Sequence, residues 1–277
     1  MNPVNIIMQS WHLNITAIVI AVIFLVFHYR SNGNRLTRKS SYFIGGIILL
    51  LLVTLSPIDF MGHYYLFSAH MLQHVIILLV VPPLLVVGTD ASYLEKVMKH
   101  EGFRKTGKFL FHPLTAWILG VGSMWVWHIP SLVAAMKHSQ TLMVLHTVSL
   151  LLLGIIFIWP VFTPIGFRKL SPLQCTLYLF TACVGCTTLG IFITFSPDGL
   201  YTSYLMGNDP AVLSLVRSQW GISTAIDQQI GGLIMWVPAC VIYVTNILIT
   251  LGKWFTERQE DGNIHAKSSH SGTIILK

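Results

Sequence analysis

Residues Ala69–Gly88, AHMLQHVIILLVVPPLLVVG, decide the fold. A helix needs about 20 predominantly apolar residues to cross the hydrocarbon core of a bilayer, and this stretch has them with no Asp, Glu, Lys or Arg. Yet His70 and His74 sit near its start. Ionisable groups at membrane depth are costly, and they face a bundle interior or a cavity. Positions i and i+4 share a helix face, so both imidazoles can reach one ion or meet groups on neighbouring helices.

The rest of the chain follows the same grammar. Of 277 residues, 54% are hydrophobic and only 10% charged, against about a quarter charged in soluble domains. Apolar runs near the length of a span recur seven times: Leu13–His28, Tyr42–Asp59, Leu66–Gly88, Pro113–His128, Thr141–Phe162, Leu173–Ser196 and Ala225–Leu251. The expected fold is an all-α integral membrane bundle of seven transmembrane helices over residues 1–255. A polar, loose cytoplasmic tail over 256–277 would follow. Met1–Leu13 lacks the positive charge that precedes a secretory signal's apolar core. The four cysteines lie in or near apolar runs, which does not read as a secreted disulfide framework.

Charge sets the direction. Arg30, Arg35, Arg38 and Lys39 follow the first run, and Lys96, Lys99, Arg104, Lys105 and Lys108 follow the third. Arg168 and Lys169 follow the fifth, and Lys253, Arg258, Lys267 and Lys277 follow the last. Only Lys137 and Arg217 lie on the other side. The positive-inside rule then places the N-terminus outside and the C-terminus in the cytoplasm. The formal net charge of +7 is this asymmetry, and it gives no reason to expect nucleic acid as a partner.

On this topology several chemical groups reach one depth. His70 and His74 fall in the outer half of the third helix, His128 at the outer end of the fourth, and His146 in the outer part of the fifth. Asp227, Gln228 and Gln229 fall in the first turn of the seventh. At about 1.5 Å per residue, His74 and His146 both lie roughly 10 Å below the outer interface. Neutral imidazole suits zinc, copper and iron, and soft thioethers favour monovalent copper. The outer half also holds Met8, Met61, Met71, Met124, Met136, Met143 and Met206, which favours copper over zinc. Taken singly, His12, His63, His128 and His138 read as interfacial polar groups, and the methionines as apolar filler. Gly231 and Gly232 read as close-packing positions, and Pro82, Pro83 and Pro238 as kinks. Cys183 and Cys186, in CVGC, share a face and read either as a redox or soft-metal pair or as small packing residues.

Read together, several segments resemble the bacterial CtaG family, the seven-helix caa-type cytochrome c oxidase assembly factors. They are HMLQHVIILLVVPPLLVVG (70–88), WHIP (127–130), His146 with IFIWPVF (156–162), TTLGIFITFS (187–196), LYTSYL (200–205) and DQQIGGLIMWVP (227–238). The likeness runs in order from about Tyr42 to Leu251. It implies a chaperone role, without enzymatic activity, in maturing a haem-copper oxidase of the respiratory chain. The most direct form is copper delivery to the oxidase's buried copper B centre. The partners it implies are an oxidase subunit in the membrane and a copper donor it does not name; a homodimer is left open. The positions carried over as metal-binding are His70, His74, His128, His146, Asp227 and Gln228.

Other classes compete. A bis-histidine haem protein carrying electrons would need axial histidines on facing helices, which His74 and His146 supply, and a roomy apolar cavity. A transporter or proton relay would need polar groups across the inner halves of the spans, where they are scarce. An intramembrane metalloprotease would need the glutamate of H-E-x-x-H, and HMLQH has Met71 in its place.

Overall fold

A computed structural model describes residues 3–32, 37–197, 199–201 and 209–272. Among the described residues the chain is all-α, with no strand. Each of the seven apolar runs folds as helix. These are α2 (Ile15–Asn32), α3 (Arg38–Leu55), the continuous segment α5 (Phe67–Val75), π-turn (Ile76–Val80) and α6 (Val81–Gly88), then α9 (Pro113–Trp127), α11 (Gln140–Phe162), α12 (Pro172–Phe195) and α14 (Thr224–Gly272). Short helices fill the connections: α1 (Pro3–Met8), α4 (Pro57–Tyr64), α7 (Ala91–Lys99), α8 (Glu101–Leu110), α10 (Pro130–His138) and α13 (Pro210–Ser214). Among the described residues, five helices are long and apolar enough to cross a bilayer. The number becomes six if α8 and α9, bent by 62° at His112, count as one span. The apolar helix Ile15–Ser31 is shorter.

Hydropathy alone ends the last helix near Leu251 and predicts a loose polar tail, whereas α14 continues to Gly272. No proline or glycine pair interrupts it there, and polar helix formers such as Glu257, Arg258, Gln259 and Glu260 carry the backbone past the apolar stretch.

The opening segment is the hub of the bundle. Of its best apolar window, 61% is buried, against 22–39% for the other four spans. α6 packs on α3, α5 on α14 and α4, and α6 with the π-turn on α11. The π-turn follows from the sequence just after it. Pro82 and Pro83 have no N–H to return to the carbonyls four residues back, and the backbone widens before them, with Val81 N–H bonding Ile76 O. Gly154 of α11 lies against this turn. A Cβ there would stand 2.7 Å from both Leu78 O and Pro82 Cγ, so only glycine allows the approach.

The same device fastens α12 to α14, the most extensive helix pair. A Cβ on Gly232 would meet the Thr194 hydroxyl and the Gly190 carbonyl. Small residues let backbones approach closely where apolar burial gives helices little reason to associate.

Candidate metal centre

His70 and His74 project from the face of α5 turned to α11, one turn apart. His146 comes from the second turn of α11, and His128 caps the end of α9. The His70 and His146 rings stack at 5.2 Å between centroids. His74 stands between the others, 5.3 Å from His146, 4.9 Å from His128 and 6.3 Å from His70. One nitrogen from each of His70, His74 and His146 lies within 4.8 Å of the other two, a grouping able to hold one metal ion. His74, His128 and His146 are buried, and Trp127 closes one side with its ring edge-on to His146 at 4.9 Å.

Hydrogen bonding sorts these imidazoles. His128 Nδ1 lies 2.5 Å from Met124 O, so Nδ1 carries the proton and Nε2 presents its lone pair. That Nε2 is 3.2 Å from Met71 Sδ. His74 Nδ1 and Nε2 and His146 Nε2 are buried with no hydrogen-bond partner among the described residues. Buried polar atoms are nearly always partnered. Three nitrogens of this one cluster are exceptions among the described residues.

Asp227 and Gln228 are buried too, but they serve other ends. Leu66, the residue before α5, offers no side-chain cap, and the first amides of a helix need acceptors. Asp227 supplies them from α14: its Oδ2 accepts Phe67 N–H at 2.8 Å and its Oδ1 accepts Ser68 N–H at 2.9 Å. Gln228 does the converse for α12. Its Nε2 donates to Ile193 O and Ser196 O, and its Oε1 accepts Leu200 N–H. Both polar groups have their hydrogen bonds, and neither belongs to the histidine cluster. Gln229 is exposed. The motif at 200–205 contributes Tyr201, whose hydroxyl donates to His128 O at 2.9 Å; Thr202–Leu205 and Met206 lie outside the described residues.

The thiols also divide differently from the CVGC reading. Cys183 Sγ is 3.0 Å from Cys240 Sγ. Cys186 Sγ instead meets Met124 Sδ at 3.6 Å and the Tyr243 hydroxyl at 3.7 Å.

Four further residues build the surroundings. Gln73, one position before His74, donates through Nε2 to Val53 O and to Asp59 Oδ1. Burial raises the Asp59 carboxyl above its ordinary range, with Gln73 and His12 opposing. Lys137 and Arg217, the only two bases on the Lys- and Arg-poor side, both tie down the α4–α5 junction. Lys137 donates to His63 O, and Arg217 donates to Tyr65 O at 3.0 Å and approaches Asp227 at 3.9 Å. Burial lowers Lys137 to about 7 against the pull of Asp227 and Asp59. It lowers His63 to about 4, assisted by Lys137 and His12. The charge count held a signal for the two bases, since an exception to so strong an asymmetry needs a local reason.

The fold and site thus define a multi-pass helical membrane protein with a buried imidazole cluster near one end. Residues 18–257 match the family of cytochrome c oxidase caa3 assembly factors (Caa3_CtaG). The chain belongs to that family, whose work is the assembly of cytochrome c oxidase. No curated protein and no solved structure matches the chain.

Proposed function

We propose that this assembly factor passes copper to the copper B centre of its haem-copper oxidase through His70, His74 and His146, with His128 at the flank, and that it does so without catalysis. The observation that carries the reading is the set of orphaned nitrogens on His74 and His146 within a grouping of three imidazoles. The ligands are neutral and no carboxylate joins them. The cost of burying an ion grows steeply with its charge, so a monovalent cargo suits this site better than a divalent one. The thioether of Met71 beside His128 points the same way. Imidazole and thioether ligands exchange more readily than a closed thiolate cage, as a donor to another protein requires.

In this reading the seven apolar helices all cross the plasma membrane, with the N-terminus and the histidines on the outer side, and the ion moves laterally to the oxidase. The space reaching His70 and His146 is about 40 Å³, enough for an ion and far too small for a porphyrin, which disfavours the haem alternative.

The test is the metal content of the oxidase purified from cells that lack this protein and from cells that carry His74→Ala. Expected are oxidase subunits in the membrane, haem retained, copper depleted, and the His74→Ala protein present at normal level. Full copper with missing haem would move the assignment to haem handling. Normal content of both would leave copper delivery without support.

A further inference from the structure

A cavity of about 690 Å³ lies beside the histidines, between the start of α2, the helix α4 and the start of α11. His12, Asp59, His63, Gln140 and Met143 line it. The 40 Å³ space shares Asp59, His63, Gln140 and Met143 with this cavity and adds His70, Gln73 and His146. One lining therefore runs from His12 at the wide end to the imidazole cluster at the narrow end. Its groups are imidazole, carboxylate, amide and thioether, each able to bind a cation weakly.

Near the wide end two of them are already paired. His12 Nε2 lies 3.0 Å from Asp59 Oδ2, with side chains 43% and 11% exposed. The other carboxylate oxygen is held by Gln73 Nε2 at 2.5 Å, and His12 Nδ1 faces Ser10 O at 3.4 Å. An imidazole nitrogen and a carboxylate oxygen at this distance must share a cation between their lone pairs, a proton or a metal. Gln73 fixes the carboxylate from the same helix turn that carries His74, so the pair is mechanically joined to the cluster.

We propose that His12 and Asp59 form a capture station for the copper ion, the first of two, and that the cavity is its way in. This rests on the reading of the histidine cluster given above. The arriving ion replaces the proton shared by His12 and Asp59, which leaves to water. The ion then exchanges these two ligands for the three imidazoles within. Two ligands near the surface bind weakly and release fast, whereas three buried ones hold on. The order of strengths drives the ion inward, and no electron transfer is involved. The wide cavity admits an ion with its water or a small carrier ligand, which the narrow space strips away.

The experiment uses the full chain in lipid nanodiscs and monovalent copper supplied from a coloured chelator, with loss of the chelator complex followed by stopped flow. Removing an attracting charge from a focusing cleft slows association by about tenfold or more. Thus Asp59→Asn is expected to load at least that much slower and to reach the same final copper per chain. His12→Ala should also slow loading, because it removes the other ligand of the pair, and the two changes together should add little, because they disable one station. A second probe avoids any question of folding: Leu13→Cys, on the exposed rim, should load normally with its thiol capped by a small maleimide, and slowly when the maleimide is bulky and impermeant. Equal rates for wild type, His12→Ala and Leu13→Cys carrying the bulky label overturn this inference and leave the cluster standing. A lower final copper content in His12→Ala also overturns it, since His12 would then belong to the holding site. Absence of copper uptake by the wild type overturns the cluster and the station together.

Discussion

The carboxylate of Asp227 caps a helix that begins 160 residues earlier: Oδ2 accepts the Phe67 amide at 2.8 Å. Through this contact α14 fixes where α5 starts, and so where His70 and His74 stand. Asp227→Ala leaves two buried amides and the neighbouring Arg217 without their anion, a loss of about 2–4 kcal/mol. A lowered unfolding midpoint is expected, with copper per folded chain preserved. Loss of copper at unchanged stability would make Asp227 a ligand.

Among the imidazoles, the orphaned ones should matter most. His74→Ala and His146→Ala are each expected to weaken copper binding by at least about 10–100-fold, the loss that even outer partners of metal ligands produce. His128→Ala should cost less, because His128 lies outside the grouping of three imidazoles and its Nδ1 already bonds Met124 O. Cys183→Ser with Cys186→Ser should leave binding intact. Competition titration with a monovalent copper chelator gives the ranking, and dependence on the thiols alone would refute it.

Lys137 gives a pH signature. Burial brings its folded value down to about 7 from 10.5, while Asp59 and Asp227 favour its charge and His63 and His70 face it. Between these values the unfolded chain holds the proton that the folded chain has lost. Folding stability from this group therefore rises with pH across about 7–10.5, by at most about 1.4 kcal/mol per unit. Lys137→Met should remove that rise, seen as a flatter unfolding midpoint between pH 7 and pH 9.5. Parallel profiles for the two proteins would contradict the assignment.

Close packing can be checked with a matched pair. Gly154→Ala puts a methyl 2.7 Å from Leu78 O and Pro82 Cγ, whereas Gly122→Ala meets nothing within 4 Å. The first should cost about 1–3 kcal/mol and the second should be neutral or better in a thermal unfolding assay. Equal behaviour would mean that α11 and the π-turn do not approach as described.

Direction across the membrane is tested with a reporter active only in the cytoplasm. Fusion after Lys277 should be active and insertion after Ser196 silent. The reverse pattern would put the histidines at the cytoplasmic face and end the argument for an ion arriving from outside.

Much of the cluster was legible because its rules are local. His70 and His74 share a face by spacing alone, and His146 reaches their level by counting residues from the start of its run. Asp227 and Gln228 entered as metal-binding positions on depth and resemblance. What they partner instead is the uncapped start of α5 and the last carbonyls of α12, which depend on how distant helix ends meet. Asp59 and Gln73 escaped for the same reason, since their value lies in contacts among α3, α4 and α5 that no periodicity encodes. The pairing of Cys183 with Cys240 is likewise a property of the α12–α14 interface. Length and hydropathy placed a helix at each of the seven apolar runs, but among the described residues five helices, or six with α8 and α9 taken together, are long and apolar enough to span.

The wide turn at Ile76–Val80 has a consequence for angular phase. Each residue of an α-helix advances the side chains by about 100°, and a π-turn takes in one residue more than an α-turn. The histidine-bearing half of the span and the proline-bearing half are thus offset from the alignment an uninterrupted helix would give. That offset lets His70 and His74 look toward His146 while Leu85 still looks toward Gly46 of α3. Deleting a single residue from Ile76–Val80 would cancel it. The helix would be more regular, every contact of α6 could survive, and the two histidines would be swung out of their own cluster.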